Sequence, residues 1–399
     1  MDRGTGMSSF GSRGAGGLRS GRVAGSRRKT GRTLVFIGFA VGAVWPSTAS
    51  PAPASGWAIL PTPVPAHSED AALAGVSCTS STNCMAVGYW IPLATNAQLP
   101  LVEHWNGSIW ELQQVPVSAD IRLNGGQLSG VSCTSSTACM AVGSGGDGGE
   151  SLLERWNGST WSITRAPDFV LEEALGVSCT SSTDCVAVGD EGGISIAERW
   201  DGKRWSPQNL HYTPERANWL TAVSCVAADN CAAVGEDDVG LCANNYTSDY
   251  FVGVLGFWHQ GRWSLKRDPD IACSVRGSDG GGDELLGVSC ASISACTAVG
   301  PVVYQWNGRR WSTQRTFDGF EAVSCISTVS CTAVGSGTAG RWNGSGWSIQ
   351  NTPQVHEGDL SGVSCTFTGA CVAVGSFKNR AGTLLPLAET TIGPTAGFG

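Results

Sequence analysis

Short β-rich runs, punctuated by Gly, Asn-Gly and Pro, follow one another along the chain and predict strands joined by tight turns. The runs recur in register. Val-Ser-Cys ends at Cys78, Cys133, Cys179, Cys225, Cys290, Cys325 and Cys365, and a second cysteine follows six residues later, at Cys84, Cys139, Cys185, Cys231, Cys296, Cys331 and Cys371. After each second cysteine come one residue and Ala-Val-Gly, as in Ala86-Val87-Gly88 and Ala373-Val374-Gly375. The mean spacing, about 48 residues, is close to one four-stranded propeller blade. Five units continue with a second hairpin in which a strand ends in Trp, a turn carries Asn-Gly or Asp-Gly, and a Trp follows, Trp105-Asn106-Gly107-Ser108-Ile109-Trp110 being the first; Trp258/Trp263 keeps the spacing with His259-Gln260-Gly261 at the turn. Asn-Gly is a strong hairpin signal because both residues tolerate positive φ. The two Trp side chains are expected on one face of the hairpin, packed directly or diagonally.

Each unit therefore predicts four strands. Strand A ends at Val-Ser-Cys, B begins at the second Cys, C ends at the first Trp and D starts at the second. An orphan segment, Gly56-Trp57-Ala58-Ile59-Leu60-Pro61-Thr62-Pro63, matches strand D and precedes the first unit, whereas the last unit lacks its own D after Ala388-Glu389-Thr390-Thr391. An N-terminal D completing a C-terminal A–B–C set closes a ring and leaves no unpaired edge. The expected fold is all-β: a seven-bladed β-propeller over 56–392, with a C-terminal tail at 393–399.

Residues i and i+6 across a five-residue loop lie opposite each other, within disulfide reach. Zinc would call for C-x2-C or nearby His pairs, which the sequence lacks. Seven bridges are expected, one per blade. Cys242 and Cys273 fall outside the repeat, in a B–C and a D–A loop of the fourth unit; these loops open on one face, so a Cys242–Cys273 bridge is predicted.

The pattern Gly-Val-Ser-Cys…Cys-x-Ala-Val-Gly…Trp-Asn-Gly-x-x-Trp resembles the repeats of uncharacterised secreted actinobacterial proteins, a resemblance that implies fold and export and no activity. The Gly-x-x-Trp of each C–D turn is similar to the Asp-box of sialidase-type propellers, but Asn or Asp here directly precedes Gly, one residue off that motif. No catalytic residue carries over.

Composition adds compartment and partner class. The 55 Gly and 16 Trp against only 25 Lys and Arg suit short strands better than helices. Residues 1–32 hold eight basic residues and one acid, so the remainder carries a net charge of −15 within an overall −8. Such a body repels nucleic acid and anionic lipid. The basic segment leads into Leu34–Trp45, a short apolar run, and then a small-residue, Pro-rich stretch with Ala52-x-Ala54, so residues 1–54 read as a secretory signal, with an uncleaved N-terminal anchor as the rival. An even 16 cysteines agree with an oxidising compartment.

Repeated residues are expected to be structural. Glu103, Glu154, Glu198 and Glu389 recur two places before the Trp position and are expected to hydrogen-bond between blades. Ligand chemistry is sought where the units differ, in the D–A and B–C loops near 206–219, 236–250 and 268–284. These loops and their flanks carry Tyr89, Trp90, Tyr212, Trp219, Tyr246 and Tyr250, joined by Glu236, Asp237, Asp238, Asn244, Asp279, Asp283 and Glu284. Aromatics with carboxylates and amides on one rim suit stacking on sugar rings or a protein interface; loops that merely pack on themselves are the competing reading. The five histidines are scattered, and the sequence has no His-Glu-x-x-His, nucleophile elbow or phosphate loop. No catalytic residue, cofactor or metal is expected, and Glu236-Asp237-Asp238 lacks EF-hand spacing. The expectation is a secreted, monomeric, non-enzymatic binding or scaffold propeller that recognises a polysaccharide or a surface protein. It meets the membrane only through the N-terminal segment if that stays uncleaved. The alternatives are a glycoside hydrolase or lyase using loop carboxylates such as Asp237, Asp238, Asp279 and Asp283, and an anchored structural protein.

Overall fold

The computed structural model describes residues 56–146, 150–164, 172–210, 218–240, 250–259, 261–267, 284–314 and 319–392. They form seven four-stranded antiparallel sheets. In the first, A is Ser68–Ser80, B is Asn83–Pro92, C is Leu99–Trp105 and D is Trp110–Leu112. In the seventh, A, B and C are Asp359–Cys365, Cys371–Lys378 and Leu384–Ile392, and the fourth strand is Gly56–Leu60, paired from Gly56↔Ile392 to Leu60↔Ala388. Ala119–Asn124 is the one helix among the described residues, capped by Ser118. The fold is a seven-bladed β-propeller.

All seven repeat cysteine pairs sit directly opposite each other on strands A and B and are bridged, with Cα atoms 3.9–4.0 Å apart. The predicted Cys242–Cys273 bridge lies outside the described residues. Ala-Val-Gly has an equally local cause. Strand A carries a β-bulge, between Leu73 and Gly75 in blade one and between Leu360 and Gly362 in blade seven. The bulge brings the A backbone against strand B. A Cβ on Gly88 would meet the Ala72 carbonyl oxygen at 2.0 Å, and one on Gly375 would meet that of Asp359 at 2.0 Å. Only glycine fits there.

The C–D hairpins form with each Trp pair directly opposed and the rings 5.6–5.9 Å apart. The expected reason for Asn-Gly is corrected. Gly107 takes a positive φ of 94°, but Asn106 does not. Asn106 acts through its side chain, whose Oδ1 accepts from the Ser108 and Ile109 N–H groups at 2.9 and 3.1 Å. Asp201 does the same work at the third turn, accepting from Lys203 and Arg204.

Alternate strand-B residues serve two interfaces. Cys84 and Ala86 pack with Val372 and Val374 of blade seven, whereas Met85 and Val87 pack with Leu128, Ala141 and Leu152 of blade two. The serine of Val-Ser-Cys links the blades. Its Oγ accepts from the N–H of the equivalent Cys one blade on: Ser77 from Cys133, Ser132 from Cys179, Ser178 from Cys225, Ser224 from Cys290, Ser289 from Cys325 and Ser324 from Cys365, all at 2.9–3.0 Å. Ser364 accepts from Cys78 at 2.9 Å.

Glu103, Glu154, Glu198 and Glu389 are all but fully buried between blades. The expected inter-blade hydrogen bond does not form at the first two, where neither carboxyl oxygen meets a donor among the described residues. Burial instead pushes Glu103 and Glu154 up to about 8, and Glu198 and Glu389 to about 7, so the side chains are held as neutral acids. The other three blades fill this position differently. Tyr304 is itself buried, and Gly256 and Gly340 leave room for Leu265 and Phe320.

Two predictions follow from this packing. Unfolded, Glu103 ionises near 4.5, but folded it keeps its proton to about 8, so between these values the native state holds the extra proton. Stability should therefore fall as pH rises from 5 to 8, by up to ~1.4 kcal/mol per unit for each such group. Glu103→Gln should raise the melting temperature at pH 8 and flatten the profile; an unchanged profile would show that Glu103 ionises freely. Second, Ser178→Ala strips the Cys225 N–H of its partner and should cost about 1 kcal/mol in urea unfolding. A neutral result would mean that the hydroxyl bond adds nothing between blades.

Candidate functional site

The bulge residue of strand A, or its equivalent just ahead of the strand in blades five and six, lies on the wall of the central channel together with the two residues that follow it. Ala74, Ser129, Leu175, Thr221, Leu286, Glu321 and Ser361 occupy it in turn, followed by Gly-Val or Ala-Val. These segments line a cavity of about 180 Å³ on the propeller axis. Six of the seven are uncharged and small or apolar; the seventh, Glu321, joins Ser361 in a polar cluster between blades six and seven.

At that cluster the Asp359 Oδ1 accepts the Ser336 and Leu360 N–H groups at 2.7 and 3.0 Å. Glu321 hydrogen-bonds the Asp359 carboxyl. Burial, then the Asp359 charge and the shared hydrogen bond, push Glu321 up to about 7, with the Ser361 hydroxyl opposing. Glu321 thus keeps its proton up to about neutral pH. A second acidic pair lies at blades four and five. Glu236, opposite Trp219 in the A–B register, is pushed to about 7 by burial and then by the charge of Glu284, while a hydrogen bond from the Trp219 side chain opposes the shift. In blade three, burial raises Asp190, the Gly193 N–H at 3.0 Å opposes, and Glu172 adds to the rise.

All of these groups lie at the D–A and B–C end of their strands, the face on which the sequence places its ligand chemistry. Trp219 is half-buried there, and Asp237 is fully buried directly opposite Asn218 in the A–B register. Its neighbour Asn218, fully buried, accepts the Ser195 N–H at 2.7 Å and so ties blade four to the B–C turn of blade three. Asp237 and Asn218 read as architecture. Tyr89 and Trp90 sit at the far end of strand B in blade one. Burial and then Asp70 push Tyr89 up, and Trp90 packs on the blade one core. They belong to a different sector from Trp219. The side chains of Asp238 and Tyr250, and all of Tyr212, Asn244, Tyr246, Asp279 and Asp283, lie outside the described residues.

Sequence reading missed Glu321, Asp359 and Ser361. The usable signal was positional. Glu321 is the one charged residue among the seven that directly precede Gly-Val or Ala-Val, and the others there are Ala, Ser, Leu or Thr. Chemically, the face offers carboxylates, one of them raised to about neutral pH at Glu321, backbone carbonyls and an indole. No group of three or more His, Cys, Asp or Glu suited to a metal occurs among the described residues.

No protein-family model matches the chain, and no curated protein matches it. Solved structures do. YCF48 bound to D1 peptide superposes with a TM-score of 0.55 at 11% identity, covering 85% of this chain and 97% of that one. The WD40 β-propeller domain of Doa1 gives 0.53 at 11%, covering 85% and 96%. Virginiamycin B lyase from Staphylococcus aureus gives 0.55 at 9%, covering 84% and 99%. At these identities the likeness establishes the propeller fold.

Proposed function

We propose that the protein is an exported, non-enzymatic binding propeller that recognises a polysaccharide or a surface protein through its D–A/B–C face. The observation that carries this reading is the loss of seven-fold equivalence on the D–A/B–C face. Away from it the blades repeat the same Cys, Ser, Gly and Trp contacts. At it, Glu321, Asp359, Glu236 and Trp219 each occur once. Acceptor groups around an exposed indole edge suit a partner rich in N–H and O–H donors. A peptide-bound propeller among the similar structures is in keeping with a protein partner. Residues 1–54 serve export on this reading, 393–399 are a tail, and the repeat places the chain with the secreted actinobacterial proteins it resembles. Seven disulfides fit an oxidising destination. The chain acts as a monomer.

One observation favours an enzymatic second reading: Glu321 hydrogen-bonds Asp359 and keeps its proton up to about neutral pH, as a general acid must. A glycosidase or lyase would then work through this pair. Both readings are tested together on the secreted protein, by glycan array and by pull-down from intact cell surfaces. The binding reading predicts a captured ligand whose affinity drops about tenfold or more in Trp219→Ala and Tyr246→Ala. Ligand binding untouched by both changes would exclude this face. Turnover of a captured glycan that Glu321→Gln abolishes would move the assignment to catalysis.

A further inference from the structure

The repeat supplies seven versions of one corner, on the opposite A–B/C–D face. In each blade the residue just before the first Trp faces the next blade, and it is His104, Arg155, Arg199, Phe257, Gln305, Arg341 or Thr390. Three of these show what the corner normally holds. Arg199 pairs with Asp184 at 2.7 Å and reaches Asp229 of blade four at 3.9 Å. Phe257 lies on both Trp306 and Trp311 of blade five, with centroids 4.7 and 5.9 Å away. Arg341 lines the corner between blades six and seven, which keeps no water-sized space. In blade seven the Thr390 hydroxyl turns back to the Cys371 carbonyl at 3.0 Å.

Between blades five and six the filling is missing. Thr297, Gln305 and Ser312 lie side by side across strands B, C and D, where blade two has Met140, Arg155 and Ser162. The shorter side chains leave a cavity of about 280 Å³, larger than the axial one and close to the lower end of small-molecule sites. Trp306 and Trp342 border it, with the Cys325–Cys331 bridge beneath. No Asp, Glu, Lys, Arg or His lines it among the described residues. The Gln305 carboxamide hydrogen-bonds nothing among the described residues and borders the cavity, so it offers a donor and an acceptor at once.

We infer that this corner is a second binding site, specific for an uncharged pyranose. The ring's C–H groups suit the accessible part of the half-buried Trp306, and its hydroxyls suit amide and hydroxyl groups that both donate and accept. A charged sugar would meet no counter-charge and would lose hydration without compensation. The site is independent of the D–A/B–C face, because it lies at the other end of the strands.

The test uses the intact secreted protein and saturation-transfer NMR with methyl β-D-glucopyranoside, methyl β-D-galactopyranoside and N-acetylglucosamine, with glucuronate as the charged control. At least one neutral glycoside should bind and glucuronate should not. Gln305→Phe copies blade four and should weaken binding about tenfold or more, with melting temperature and circular dichroism unchanged. Trp219→Ala should leave it intact, which separates this site from the proposed ligand face. Should Gln305→Phe disturb folding, Thr297→Met, which copies the residue at Met85 and Met140, provides the same closure. No bound neutral glycoside, preference for glucuronate, or binding that survives the closing substitutions would overturn the assignment.

Discussion

A serine hydroxyl accepting the backbone N–H of the next blade's cysteine recurs seven times, with Ser364 and Cys78 joining the last unit to the first. Each bond is worth about 1 kcal/mol net. Its larger effect is geometric. It fixes the height of every strand A against its neighbour around the axis, and other repeated residues accommodate that fixed position. The disulfide locks A to B at the donor cysteine itself, one residue from the serine acceptor. The bulge turns one residue toward the channel, and Gly of Ala-Val-Gly gives way where the bulged backbone presses on strand B. Packing on the two faces of strand B then adds the seven apolar interfaces, with Cys84 and Ala86 serving one neighbour and Met85 and Val87 the other.

Such a frame separates structural from chemical residues by arithmetic. A side chain that appears in every blade can hold blades together; a single ligand site needs side chains that appear once. The serines of Val-Ser-Cys illustrate the first kind, each accepting from a neighbouring blade's cysteine. Glu321 and Asp359 illustrate the second, as does Gln305, where one short side chain empties a corner that an arginine or phenylalanine fills elsewhere. The protein thus carries its unique chemistry at the two ends of its strands and its common contacts between them.

What could be read from sequence was whatever depends on local spacing. The Cys-x5-Cys pairing, the Ala-Val-Gly that follows it and the opposed Trp pairs are relations within one hairpin, so the register forced them. The role of Asn106 was misread, because a backbone torsion and a side-chain cap favour the same residue type in the same turn. Glu103 and Glu154 were misread as hydrogen-bond partners, since spacing shows that a position repeats without showing what lies across the interface. The Glu321–Asp359 pair joins strands of different blades, and the blade five–six cavity depends on a neighbour's volume. Neither relation is written in local pattern. Trp219 was legible as an off-repeat aromatic, but its hydrogen bond to Glu236 was not.

The ring of serine–cysteine bonds has one place where chain connectivity gives it no help: the junction of Cys78 with Ser364, whose sheet also takes Gly56–Leu60 as its outer strand. Native-state hydrogen exchange of the seven first-cysteine amides reads that junction directly. A closed ring predicts that the Cys78 amide is protected as strongly as those of Cys133, Cys179, Cys225, Cys290, Cys325 and Cys365. A Cys78 amide that exchanges like a free strand edge while the other six stay protected would show that the blades form an open array.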